Sequence, residues 1–433
     1  MKENKTKSFI KKDNKNYDVW VVDPHGRIPG EKMGHLIGIE AAQYYSNRGL
    51  NVLLICSTFS HILKQQRTSQ TMLMHVSDGL DIVLLKTNSY KSHTGLGRII
   101  WHLSFCLSFL KSYKNWGDPK FITVSFPFPF FDLVVRKLKK ETNAIIVLHF
   151  SDLWPEIFEI LLPKGLKAFG RLFFSIFYWM RRVAMKSADG ITFVSNNYNK
   201  LLSEEIPELV NKPRVTIHRS LLSIKEMTDS KITRNSFLKL KDNRIYFNYS
   251  GTLGAGYDIE NLLKAAEELA TEFPKKFKIF ISGKGPKETK IREMCYKIQG
   301  DHVEFLGLLT NKELKNLYYA TDFGLLPYSA GTTVAFPAKV FDYIVAGKPI
   351  IHSNAGELAD FTETNDCGHY FSAGDLAELL NVFRLVIKRG RNHQKLLSKN
   401  MSKFSLDYDK EKTLGKMYDF LYDVERSKLE SIR

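Results

Sequence analysis

The chain has 433 residues, 44% hydrophobic and 25% charged, enough apolar material for two full cores of a soluble globular protein. Its 63 Lys and Arg outnumber 46 Asp and Glu, and the balance of +17 points to an acidic partner class: nucleic acid, an anionic membrane surface or phosphorylated substrates. Its 4 cysteines, Cys56, Cys106, Cys295 and Cys367, lie far apart without a CxxC pair, which argues against disulfide or metal use and for a reducing cytosol.

Residues 1–16 read as a flexible basic lead-in: they are polar and lack the apolar core of a secretory signal. From there short β-branched runs alternate with helix-like segments. The runs 18–23, 51–56, 80–85, 121–126, 144–150, 190–195 and 214–218 are continuously apolar, as expected of parallel strands covered on both faces. Helices are predicted between most of them, at 34–48, 98–112, 129–141 and 166–187. Two apolar stretches, 99–110 and 172–180, are too short to span a bilayer but could lie on one, since basic residues flank both. Residues 219–243 lose the pattern and read as an interdomain connection.

The same grammar restarts in the second half, with strands predicted at 245–251, 277–283, 303–307, 323–328, 349–353 and 369–371. Thr310 and Glu313 form a capping-box signature, and Asp375 is placed to cap a helix running to about Arg389. A last helix is predicted over 410–430. The expected architecture is therefore α/β: two Rossmann-like doubly wound domains, 17–218 and 244–405, facing a cleft, with the terminal segment 406–433 crossing back to the first domain. Ligands of open α/β sheets bind beyond the carboxyl ends of the strands, so one shared site is expected.

Several loops at those ends carry candidate chemistry. In "SGTLGAGYD" (250–258), Gly251 and Gly254 could admit a phosphate, although the spacing is not that of the dinucleotide fingerprint. In "SGKGPKE" (282–288), Gly283 and Lys284 form either a nucleotide contact or a plain strand-to-helix turn. In "FPAKVFDY" (336–343), a helix is predicted to start at Pro337 and Ala338. Phe336 offers no capping oxygen, and Lys339 sits against the positive end of the helix dipole. Either that start is poor or an anion belongs there; Asp342, three residues on, could also simply pair with Lys339. In the first half, Gly30 and Gly34 lie in the loop after the first strand, and His149, Asp152 and Glu156 gather past the end of another. No G-x-S-x-G elbow or P-loop occurs, and Asp407 with Asp409 reads as a helix cap.

Taken in order, "YSGTLGAGYD", "FISGKGP", "VEFLGLLTNKEL", "GLLPY", "FPAKVFDYIVAGKPII" and "GHYFSAGD" resemble the retaining glycosyltransferases of family 4, which have the GT-B fold. "YKSHTGLGR" and "DLWPE" in the first half are similar to O-antigen and capsule members. The resemblance implies a nucleotide-sugar donor, with its diphosphate at the helix start marked by Pro337, on the amides of Ala338 and Lys339, and its ribose on Asp342. It further implies His149 near the donor sugar, and no cofactor or metal. The first glutamate of the family's E-x7-E pattern is replaced by Val334, and no basic pair follows the first strand of the second half, which leaves Lys339 and then Lys284 to meet the diphosphate. The implied acceptor is a polyprenyl-diphosphate-linked saccharide at the inner face of the cell membrane. Arg171, Trp179, Arg181 and Arg182 could rest in that interface, or their helix could be buried. A sugar-nucleotide epimerase of the same architecture is the alternative enzyme. A nucleic-acid binder is disfavoured, because the positive charge is scattered.

Overall fold

The computed structural model describes residues 16–31, 37–91, 95–156, 169–218, 244–332 and 336–432, with isolated positions between 159 and 238. The lead-in 1–15, most of the connection 219–243, Gly34 and Val334 lie outside the described residues. The chain divides into two compact units, Met1–Ile217 with Leu414–Arg433, and His218–Thr413.

In the first unit the strands are β1 (Val19–Val22), β2 (Val52–Ser57), β3 (Phe59–Ser60), β4 (Gln65–Gln66), β5 (Met72–Ser77), β6 (Leu80–Leu85), β7 (Phe121–Phe126), β8 (Ile145–Phe150), β9 (Gly190–Phe193) and β10 (Arg214–Thr216). Among the described residues eight of them form one sheet in the order β10-β9-β8-β7-β1-β2-β6-β5. All neighbours are parallel except β5, which runs against β6. That edge strand escaped the sequence reading, because its half-exposed residues break the apolar run. The order reverses between β1 and β7, where the loops after the two strands part to opposite sides. The helices are α1 (Ile37–Ser46), α2 (Leu96–Ser112), α3 (Phe131–Glu141), α4 (Gly170–Phe173), α5 (Ser175–Ser187) and α6 (Asn196–Glu205). The helix predicted over 166–187 is thus broken at Phe174, which caps one piece and precedes the next.

The second unit carries β11 (Ile245–Ser250), β12 (Phe277–Ser282), β13 (Val303–Gly307), β14 (Phe323–Leu326), β15 (Ile350–His352) and β16 (Gly368–Tyr370), parallel throughout in the order β13-β12-β11-β14-β15-β16. Its helices are α7 (Ile259–Glu272), α8 (Glu288–Lys297), α9 (Asn311–Ala320), α10 (Ala338–Val345), α11 (Glu357–Thr364) and α12 (Leu376–Ser402). Thr310 and Glu313 cap α9 reciprocally, as their spacing predicts, and Asp375 accepts from the amide of Glu378. α12 breaks at Gly390 (φ 63°, ψ −154°), beside the expected end near Arg389, and a second helical stretch then runs on to Ser402, burying Leu397 and Met401.

The last helix, α13 (Lys410–Ile432), returns to the first unit and buries Leu414, Met417, Phe420, Leu421 and Val424 in its core. Gly190 permits that approach, since a Cβ there would lie 2.5 Å from Val424 Cγ2. Asp409 caps this helix through the Glu411 amide (2.9 Å), the role its position suggested.

Candidate active site

In the second unit the site grows from two glycine turns and one helix start. The turn after β11 packs backbone to backbone against the turn after β12. Gly251 N–H donates to Ser282 O (2.9 Å), and Leu253 N–H donates to Lys284 O (3.1 Å). Gly283 has φ 141°, and a Cβ on it would fall 1.7 Å from Gly251 O. A Cβ on Gly251 would fall 1.6 Å from Lys339 Nζ. These two glycines therefore make room for each other's loop and for one lysine. Gly254 is buried in the same turn, its carbonyl accepting the Tyr257 amide, while the Lys284 side chain is exposed.

α10 starts one residue later than predicted. Pro337 keeps an extended ψ of 136° and is the cap rather than the first helical residue, and no side chain satisfies the open amides. Proline fixes φ but leaves ψ free, so it serves either position. Lys339 lies in the first turn. Its Nζ is sealed from solvent and has no hydrogen-bond partner; it faces the rings of Tyr257 (4.2 Å) and Tyr249 (4.9 Å). Burial pulls its pKa down from 10.5 to about 7, against a smaller opposing pull from Asp342. A desolvated cation–π contact is worth about 2 kcal/mol, too little to offset stripping water from an ammonium. Asp342 is also buried and accepts from Ser220 Oγ (3.0 Å). The second unit thus holds open helix amides, an unsatisfied ammonium and a buried carboxylate on one turn and a half of helix. That set suits a diphosphate with a hydroxyl-bearing group beside it.

In the first unit, His149 ends β8 nearly buried, with Nδ1 2.7 Å from Thr192 Oγ1. Asp152 is exposed just beyond. Glu156 is committed elsewhere: both its oxygens accept from Arg181 Nη1 at 2.8 Å. Arg181 is a correction to the sequence reading. Its side chain is 1% exposed and also meets Glu205 (2.7 Å), so it is an internal tie and cannot face lipid. Arg171 and Trp179 are exposed, whereas Arg182 reaches Glu208 at 3.2 Å. Gly30 occupies an open turn with φ 90° and nothing near its Cβ position.

Two features went unread in the sequence. Arg67 clasps the loop after β1, donating to Gly26 O, Ser57 O and both oxygens of Glu31, each at 2.8 Å. His25, His61 and His102 meet beyond the sheet, each following a different element; their shared position after β1, after β2 and in α2 was the available signal. Among the described residues no group of three or more His, Cys, Asp or Glu side chains is placed to hold a metal ion.

Residues 231–404 match the family model of the glycosyl transferases group 1. The second unit therefore carries a group 1 glycosyltransferase domain. The chain is a glycosyltransferase of the retaining kind that uses a nucleotide-sugar donor, and its fold is GT-B, two Rossmann-like domains. Solved structures share that fold at low identity. Sucrose-phosphate synthase from Thermosynechococcus elongatus superposes with a TM-score of 0.71 at 15% identity, covering 94% of this chain and 99% of its own. WaaG, a glycosyltransferase involved in lipopolysaccharide biosynthesis, gives 0.67 at 13%, covering 93% and 99%. Anabaena HepE, solved in complex with UDP and glucose, gives 0.63 at 14%, covering 93% and 98%. No curated protein matches the sequence significantly.

Proposed function

We propose that this glycosyltransferase adds a sugar to a polyprenyl-diphosphate-linked saccharide at the inner face of the cell membrane, in the assembly of an O-antigen or capsule polysaccharide. The observation that carries the donor side is the Lys339 ammonium, buried without a partner beside the uncapped start of α10. In this reading the donor diphosphate takes those amides and Lys339, with Lys284 at the loop edge, and Asp342 holds the ribose hydroxyls. His149, oriented by Thr192, and Asp152 serve the donor sugar.

In the transfer, the bond from the anomeric carbon to the β-phosphate oxygen breaks, and the acceptor oxygen bonds to the same face of the sugar. The acceptor's proton passes to the departing phosphate. No protein nucleophile is needed; the chain's part is to position the diphosphate and stabilise the charge growing on it.

The membrane side rests on exposed apolar residues. α2 buries Trp101, Phe105 and Phe109 and turns Leu96, Ile99, Ile100, Leu103 and Leu107 outward. Leu172, Phe173, Ile176 and Trp179 do the same on α4 and α5, with the exposed Arg171 among them. Among the described residues no helix is long and apolar enough to cross a membrane. A panel of UDP-, GDP- and CDP-sugars with a lipid-linked acceptor, scored for nucleotide release, tests the reading. Silence with every donor from a folded protein would sink it.

A further inference from the structure

Two opposite charges lie one turn apart on α10 and do not meet. Lys339 Nζ is sealed from solvent with no hydrogen-bond partner, although Asp342, three residues on, is itself buried. Residues at that spacing share a helix face, and a carboxylate there would ordinarily swing onto an unpaired ammonium. Asp342 instead accepts from Ser220 Oγ at 3.0 Å. Ser220 is fully buried, and it belongs to 219–243, the segment that the sequence pattern marks as a plain connection.

The hydroxyl is aimed by its surroundings. The Leu222 amide donates to Ser220 Oγ (2.8 Å), which leaves the hydroxyl proton for Asp342. On one side of Ser220, His218 stacks on Phe341 of α10 (centroids 5.1 Å, 27°). On the other, Leu222 is buried in the apolar cluster of Phe336, Val340, Phe341 and Ile344. The Leu222 carbonyl accepts the Lys410 amide (3.1 Å), and the Ile224 amide donates to Asp409 (2.7 Å). Ser220 is therefore pinned from both sides and holds the carboxylate at a fixed point. Without its hydroxyl, Asp342 would be free to close on the ammonium, and the two charges of the helix would cancel.

We propose that Ser220 is a positioning residue of the donor site: it holds the Asp342 carboxylate away from Lys339, so that the ammonium stays open to a diphosphate and the carboxylate to the ribose hydroxyls of the same nucleotide. The inference rests on the reading of α10 as the donor site. It adds that a residue outside the helix keeps the two charges of that site from neutralising each other. A carboxylate oxygen carries two lone pairs, so Oδ1 can accept from Ser220 and from a ribose hydroxyl together. An ion pair already closed would have to be broken before either group met the nucleotide, and affinity would fall accordingly. Burial raises the pKa of Tyr249, Tyr257, Tyr318 and Tyr343, the tyrosines facing the pair, above the usual 10.0, so they stay neutral where Lys339 titrates.

The test compares the full chain with Ser220→Ala and with the double variant Ser220→Ala, Asp342→Asn. Ser220→Cys keeps the side-chain volume with only a weak donor, and it reads the same trends if the alanine variant is too unstable. The first measurement needs no ligand. Lys339 has a folded pKa of about 7, below its unfolded value, so stability is gained as pH rises above 7. A carboxylate closing on the lysine raises that folded value, so in Ser220→Ala the gain should begin about one pH unit or more higher in urea unfolding. The double variant should lack the shift, because a neutral amide cannot pair with the ammonium. The second measurement is calorimetry near pH 6.5 with inorganic pyrophosphate, which has no ribose. Ser220→Ala should bind it about fivefold or more weakly, and the double variant should recover the loss. A merely structural serine would show no such recovery. An unmoved onset of the stability gain, or a double variant no better than the single one, would overturn the inference and spare the donor reading. Failure of UDP and pyrophosphate to bind the unaltered chain, with the onset shift intact, would instead remove the donor reading and leave the hold of Ser220 on Asp342 in place.

Discussion

Replacing Lys339 by Met keeps the length of the side chain and removes its charge, and the structure sets what should follow. Burial lowers the Lys339 pKa from 10.5 to about 7, a difference worth about 5 kcal/mol between the charged and neutral forms. The folded value lies below the unfolded one, so between pH 7 and pH 10 the unfolded chain holds more protons than the folded chain. Stability of the ligand-free protein should therefore rise with pH across that window, by up to about 1.4 kcal/mol per unit, and Lys339→Met should lack this rise. Binding should run the other way. A diphosphate prefers the ammonium, so affinity for UDP should fall by up to about tenfold per unit above pH 7, and the variant should be flat there. Near pH 6.5 Lys339→Met, like Lys339→Ala, should bind UDP at least about tenfold more weakly, a loss of about 1.4 kcal/mol. Urea unfolding and calorimetry from pH 6 to 10 measure both trends. Equal, pH-independent affinity in the two proteins above pH 7 would refute the reasoning.

Gly251→Ala should push the Lys339 end out of its niche, because the new Cβ would meet Nζ at 1.6 Å. The obstacle is the tip of a flexible side chain, so UDP binding should drop about as far as in Lys339→Met while the melting temperature barely moves. Arg181→Met should leave Glu156 and Glu205 without their shared partner and destabilise the fold by about 3–5 kcal/mol in denaturant titration. It should not change vesicle binding beyond what unfolding explains. Leu172→Asp combined with Trp179→Asp, at two exposed positions, should abolish flotation with anionic liposomes at unchanged stability; persistent flotation would remove that face from the membrane contact.

The strands were legible because a parallel sheet covered on both faces demands unbroken apolar runs. β2, β6, β7 and β8 are such runs, buried from end to end or nearly so. β5 was not legible, since an edge strand with one face in solvent loses that signature. Caps were legible where a single local hydrogen bond decides them, as at Thr310 and Asp375. The break of α12 at Gly390 was legible too; the separate helical stretch beyond it was not, because it is set by the tertiary packing of Leu397 and Met401. Arg181 shows the same limit from the side of charge. Pattern places it beside Trp179 on a basic, aromatic helix, and only the fold brings Glu156 and Glu205 to it from two other segments.

Glycine spacing was the weakest guide to the site. Gly251 was read as an opening for a phosphate, and Gly283 as either a nucleotide contact or a plain strand-to-helix turn; a Cβ would meet Lys339 at the first and a carbonyl at the second. The useful signal was a contradiction of local rules: a cation in the first turn of an uncapped helix. The structure completes that contradiction by sealing the ammonium without a partner, and it repeats it in the first unit at Lys64 and His102. Each buried ammonium meets aromatic rings but no hydrogen-bond partner, and each lies beyond the carboxyl end of a strand. In the proposed reading, a donor diphosphate at the start of α10 gives the Lys339 charge the partner that the fold withholds. On that reading, part of the excess of 17 positive charges is a local requirement of the donor diphosphate, beyond any general affinity for an acidic surface.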